Sequence, residues 1–147
     1  MNAILKINNQ EIPVELTLGQ VAKINKAAIH YTDITSFEAA CEFNGVDPVE
    51  FEKKYSFLPK HIYAHLKLEE IVKAINGGEK QDYSDVDVIK YYPWFNSVGS
   101  ASGFSFDDVD YGRDHSAVGS RLLYKTEEGA EHGGKTFVDL YNDYING

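Results

Sequence analysis

Cysteine is nearly absent. Cys41 is the only one in 147 residues, so no disulfide can form within the chain. A lone thiol fits a reducing compartment, and on a helix face it reads as a small buried hydrophobe. Basic residues are also scarce: 14 Lys and Arg against 23 Asp and Glu give a net charge of −9. That balance opposes binding to a phosphate backbone, whose affinity comes from Lys and Arg displacing counterions, and it opposes an anionic membrane surface. Long apolar runs are missing, and Met1 to Leu18 carries none, so neither a signal peptide nor a membrane span is expected. The phosphate-loop, dinucleotide and Gly-x-Ser-x-Gly fingerprints do not occur. Nor do internal repeats or low-complexity tracts.

What is present suffices for a core: 43% apolar residues and 13% aromatic, with ten Tyr and eight Phe against one Trp. Disorder needs lower hydrophobicity than this. The length suits one domain over residues 1–147.

Along the chain the pattern predicts an α+β fold in three parts. Residues 1–16 read as a hairpin, Ala3 to Ile7 and Ile12 to Leu16 around a polar turn, with Pro13 marking an edge strand. Residues 17–78 read as helical. Thr17 caps a helix over 18–29, Ser36 caps 37–43 ahead of Asn44-Gly45, and Asp47-Pro48 opens 48–55. Pro59 starts the longest helix, with Ile62, Leu66, Ile71 and Ile75 on one side and a stop at Asn76-Gly77-Gly78. After an acidic connector, residues 89–147 read as a small antiparallel sheet packed by a last helix. Its expected strands are 89–95, 104–111 and 119–124. Thr126 caps that helix, which buries Phe137, Leu140, Tyr141, Tyr144 and Ile145. Gly129, Gly133 and Gly134 weaken it by roughly 1 kcal/mol each relative to alanine, in a position to allow close packing against another backbone.

Chemistry has few footholds. His61 and His65 share a helix face at zinc-ligand spacing, but no further ligand is marked, and two packing or surface histidines are the expectation. His115 lies near Asp114, Ser116 and the acidic run Asp107, Asp108 and Asp110, yet a triad is defined by geometry rather than by sequence neighbours. That stretch reads as an exposed turn, and the Asp spacing fails the calcium-loop pattern. No cofactor is expected. The most distinctive segment is Tyr91-Tyr92-Pro93-Trp94-Phe95. Alternation buries every second side chain of a strand and leaves Tyr92 and Trp94 for a partner. Arg121 stands out in an otherwise apolar run and is expected to pair with Asp107, Asp108 or Asp110 across the sheet, or with a partner's anion.

Lys90-Tyr91-Tyr92-Pro93-Trp94-Phe95, then Ser102-Gly103-Phe104-Ser105-Phe106, then Val118-Gly119-Ser120-Arg121-Leu122 and a helix ending near Phe137 to Tyr141 form an ordered set. This order resembles a group of small uncharacterised proteins of tailed phages and mobile elements of gut bacteria, over roughly residues 58–145. The resemblance implies a phage origin and a cytoplasmic or virion location, and carries over no catalytic residue. The expected function is a non-enzymatic protein-interaction module, a phage structural, packaged or assembly component. Its contacts to a protein partner or to a second copy come from Tyr92, Trp94, Arg121, Asp107, Asp108 and Asp110. One alternative is an acidic inhibitor mimicking DNA toward a host protein, and another is a small metal-dependent hydrolase using His61, His65 or His115.

Overall fold

The computed structural model describes residues 2–7, 10–15, 29–97, 103–114 and 118–147. The helix expected over 18–29 and the turn containing His115 lie outside the described residues, apart from Ile29, which is not helical. The architecture is α+β. Strands β1 (Asn2–Ile7) and β2 (Gln10–Glu15) form the first hairpin, antiparallel, with Ile7 opposite Gln10 and Ile4 opposite Pro13. Each is an edge strand, the setting that tolerates Pro13. This hairpin makes no extensive contact with the other described elements, and Ile4 is 64% exposed.

Three helices follow a 3-10 turn at Tyr31–Asp33: α1 (Phe37–Asn44), α2 (Pro48–Tyr55) and α3 (Lys60–Ile75). Their boundaries have local causes. The Ser36 hydroxyl accepts from the Ala39 N–H, and Gly45 takes the left-handed conformation (φ 70°) that ends α1. The Asp47 carboxylate accepts from the N–H groups of Val49 and Glu50, ahead of Pro48 at the first helical position. Burial of Phe37, Ala40, Cys41 and Phe43 holds α1 against α3, and a fully buried Phe contributes about 1.5–3 kcal/mol. The buried face of α3 is Ala64, Leu68, Ile71, Val72, Ala74 and Ile75. Ile62 is exposed and Leu66 half-buried, so the expected stripe is rotated in the first turns, where Pro59 and not a core neighbour sets the start. The Cys41 thiol is fully buried, and desolvation pushes it up to about 11.

Strands β3 (Lys90–Asn96) and β4 (Ser105–Gly112) pair as an antiparallel ribbon, with Trp94 opposite Asp108 and Phe95 opposite Phe106. Asp107 is the unmatched residue of a bulge. The bulge lets Phe106 and Val109, three apart, both face inward. Gly119 to Tyr124 is not a third strand. Only Tyr124 pairs, with Tyr91, and Ser120–Leu122 is a 3-10 turn. Leu122, Leu123 and Tyr124 are all buried, which strict alternation cannot achieve. The buried Asn76 amide takes the place of a strand neighbour: its Nδ2 donates to the Leu123 carbonyl (2.8 Å) and its Oδ1 accepts from the Lys125 N–H (2.9 Å).

The expected last helix is two, α4 (Glu127–Thr136) and α5 (Val138–Asn146), broken at Phe137 (φ −112°, ψ 26°). The break lets α4 lie on β3 while α5 turns onto α3. On α4 the glycines are required by contact. A methyl at Gly133 would fall 2.6 Å from Tyr124 Cζ, and one at Gly134 would fall 2.6 Å from Pro93 Cβ. Lys90 is buried at the start of the ribbon, and its ammonium donates to the carbonyls of Asp85 (2.5 Å), Val88 (2.9 Å) and Arg113 (3.0 Å). All three of its donors are used, tying the 79–89 connector to the end of the ribbon where β3 begins and β4 finishes.

Two stability predictions follow from this packing. Gly133→Ala, which in an open helix would stabilise by about 1 kcal/mol, should here destabilise by about 1–3 kcal/mol through overpacking. Urea unfolding measures it, and a raised midpoint contradicts the described approach of α4. Lys90→Met should cost about 2–4 kcal/mol, because three carbonyls lose their donor; a loss below 0.5 kcal/mol on the same assay, about the size of a bland surface change, contradicts the latch.

Candidate partner-binding cleft

The ribbon has two unlike faces. Tyr91, Pro93 and Phe95 point inward: Tyr91 and Phe95 pack against the core, and the Phe95 ring lies 4.7 Å from that of Tyr141. Lys90, Tyr92 and Trp94 occupy the other face, opposite Gly112, Asp110 and Asp108. On that face Trp94 is 50% exposed, as alternation predicts. Tyr92 is not available in the same way. It is 8% exposed, and its hydroxyl donates to Asp110 (3.0 Å). The connector held down by Lys90 explains the difference, with Tyr83 near the Lys90 ammonium; burial, and after it the hydrogen bond to Asp110, raises the Tyr92 pKa.

Beyond the Tyr91–Tyr124 bridge, the far edge of β3 has no strand partner among the described residues. Tyr91 directs its N–H and C=O to Tyr124, so two residues on, Pro93 directs its own backbone toward that edge and has no N–H to offer. A proline here blunts the edge against strand addition. In its place is a cleft of about 260 Å³. Its walls are Tyr92 to Phe95 from β3, Tyr141, Tyr144 and Ile145 from α5, and Phe104, Val118 and Leu122 between them. Asn142 fixes one side by closing on Phe104 like a strand neighbour, accepting from its N–H (2.5 Å) and donating to its carbonyl (2.7 Å). Gly103 (φ +122°) is needed there, since a side chain would run into the Asn142 amide.

The lining is apolar, and its hydroxyls are largely engaged. The Tyr124 and Tyr141 oxygens are 3.0 Å apart in a fully buried pair, and desolvation drives both hydroxyls well above the usual tyrosine range. The chemistry this allows is apolar contact with an indole at the lip.

The remaining sequence candidates lie elsewhere. Arg121 pairs with Glu69 (3.5 Å) and not with Asp107, Asp108 or Asp110, because the 3-10 turn aims it at α3 instead of across the ribbon. The same Glu69 carboxylate bonds His65 Nε2 (3.0 Å), and the His65 ring stacks 5.2 Å from Tyr144. His61, one turn earlier, is exposed. No group of three His, Cys, Asp or Glu is placed to hold a metal among the described residues. Asp107, Asp108 and Asp110 are exposed on β4. Of the cleft walls, Tyr144 and Ile145 were expected in the core and are half-buried and exposed, because α5 ends there. Val118 and Leu122 carried no sequence signal as cleft residues. No helix among the described residues is long and apolar enough to cross a membrane.

The buried tyrosine pair makes a signed pH prediction. Its folded hydroxyls titrate above the unfolded ones, so its contribution is complete below about pH 10 and declines above that as the unfolded chain alone releases protons. Thermal unfolding between pH 8 and 11 should show a falling midpoint that flattens in Tyr124→Phe combined with Tyr141→Phe; equal slopes contradict the assignment. Comparisons of the chain with protein-family models, with curated proteins and with solved structures found no match.

Proposed function

We propose that this chain is a non-enzymatic protein-interaction module whose contact site is the cleft along the free edge of β3. The carrying observation is Trp94, the only tryptophan, half exposed at the lip of an apolar cleft while the inward aromatics of the same strand pack on the core. Exposed tryptophan beside a concave apolar surface is the usual make-up of an energetic centre in protein interfaces. Pro93 favours a partner that inserts side chains over one that extends the sheet. The sequence resemblance supplies the setting of this reading: a structural, packaged or assembly component of a phage, in the producing cell's cytoplasm or in the virion. A DNA mimic would present a longer row of carboxylates. The outward face of β4 offers Asp108 and Asp110 and then Gly112, which ends the row.

The test is a photo-cross-linking phenylalanine analogue placed at position 94, with Val49, 71% exposed on α2, as the control position. Illumination in the cells that make the protein should give one or a few discrete adducts at 94 and none of the same mass at 49. An adduct of twice the chain's mass identifies self-association. No adduct at 94, or the same pattern at both positions, contradicts the reading.

A further inference from the structure

The cleft opens beside an aromatic and a carboxylate that, among the described residues, lack the cation which completes the same arrangement elsewhere in the molecule. Lys67 lies over the Phe37 and Tyr63 rings (4.7 and 4.5 Å) while pairing with Glu52 (2.8 Å). Lys135 lies over the Phe106 ring (5.4 Å) and pairs with Glu131. Trp94 and Asp108 are directly opposite on the outward face of the ribbon, a geometry that puts their Cβ atoms roughly 4.5–5.5 Å apart. Among the described residues no cation lies over the Trp94 ring, and none pairs with Asp108 or with Asp110 beside it. Both carboxylates are held in place, Asp108 by the Val109 N–H (2.8 Å) and Asp110 by the Tyr92 hydroxyl and the Tyr111 N–H. A carboxylate with four acceptor sites keeps capacity after such bonds. Indole is the strongest of the aromatic side chains in cation–π contact, and arginine combines stacking on it with paired N–H bonds to a carboxylate.

We propose that the occupant is a segment of a partner protein in which an arginine stands next to a large apolar residue. The guanidinium stacks on Trp94 and donates to Asp108, and the apolar side chain enters the cleft between β3 and α5. The net charge of −9 favours approach of such a basic segment. This inference rests on the reading of the cleft as a protein-binding site and adds the chemistry of what enters it.

The test uses the intact protein and its single tryptophan. Acetyl-Leu-Arg-Leu-amide is titrated against Trp94 fluorescence beside the same peptide with citrulline, the neutral isostere, in place of arginine. The arginine peptide should bind roughly tenfold more tightly. That margin should vanish in Asp108→Asn, stay in Glu38→Gln, an equal charge change at an exposed position of α1, and shrink as salt is raised. Thermal unfolding of Asp108→Asn confirms that it folds; should it not, the salt series on the unaltered protein decides. Equal binding of the two peptides overturns the inference while leaving the cleft as an apolar contact site, and so does binding of neither. A missing adduct at position 94 instead overturns the underlying reading.

Discussion

The glycines of α4 set the distance on which the second half of the molecule depends. Gly133 and Gly134 bring the helix backbone down onto Tyr124, Pro93 and the Phe106 ring, with no room for a methyl at either position. At that distance the inward face of the β3–β4 ribbon is closed: Pro93 is buried under α4, and Phe95 meets Tyr141 on α5. A strand has only two faces, so Trp94 is sent outward. The break at Phe137 then turns α5 onto α3 and leaves its last turn beside the free edge of β3, which is how the cleft arises. The glycines thus set the depth of the packing, alternation sets the exposure of Trp94, and the break at Phe137 sets the shape of the cleft.

The polar groups near the ribbon are satisfied from within, and this bears on function. Lys90 spends its three donors on carbonyls, Asn76 stands in for a strand, Asn142 brackets Phe104, and Tyr124 and Tyr141 bond to each other. Such groups rigidify a surface and do not converge on a point in space where a substrate atom would sit. What remains without an internal partner among the described residues is an indole, two anchored carboxylates and an apolar hollow, the features on which the proposed contact rests. Rigid presentation lowers the ordering cost of association, which agrees with the proposed role.

Much of this fold was legible because its signals are local. Ser36, Asp47-Pro48 and Asn44-Gly45 mark helix ends by chemistry that acts within four residues, and the structure agrees to within a residue. Alternation in Tyr91 to Phe95 separated Trp94 from the core. The break at Phe137 and the exposed end of α5 are local features missed by the pattern, and the other misreadings are non-local. The run from Gly119 to Tyr124 looks like a strand, but Asn76, far away in sequence, takes its hydrogen bonds. Tyr92 has the parity of an exposed residue and is covered by a connector held by Lys90, whose role no pattern announces. Arg121 had three acidic candidates in the ribbon and pairs with Glu69 on α3. The bulge at Asp107, without which Phe106 and Val109 cannot both face inward, was missed by a reading of 104–111 as a regular strand. The cleft itself is made by walls from β3, the 118–122 segment and α5, and only their assembly reveals it.

The central claim is that the one tryptophan stands in solvent on an acidic face. Collisional quenching of its fluorescence by caesium and by iodide, each compared with a free tryptophan amide, tests this without any partner. Beside Asp108 and Asp110 the caesium constant should retain a larger fraction of its free value than the iodide constant, and added salt should bring the two fractions together. Resistance to both quenchers would bury Trp94 and contradict the account, and a preference for iodide would contradict the acidic face.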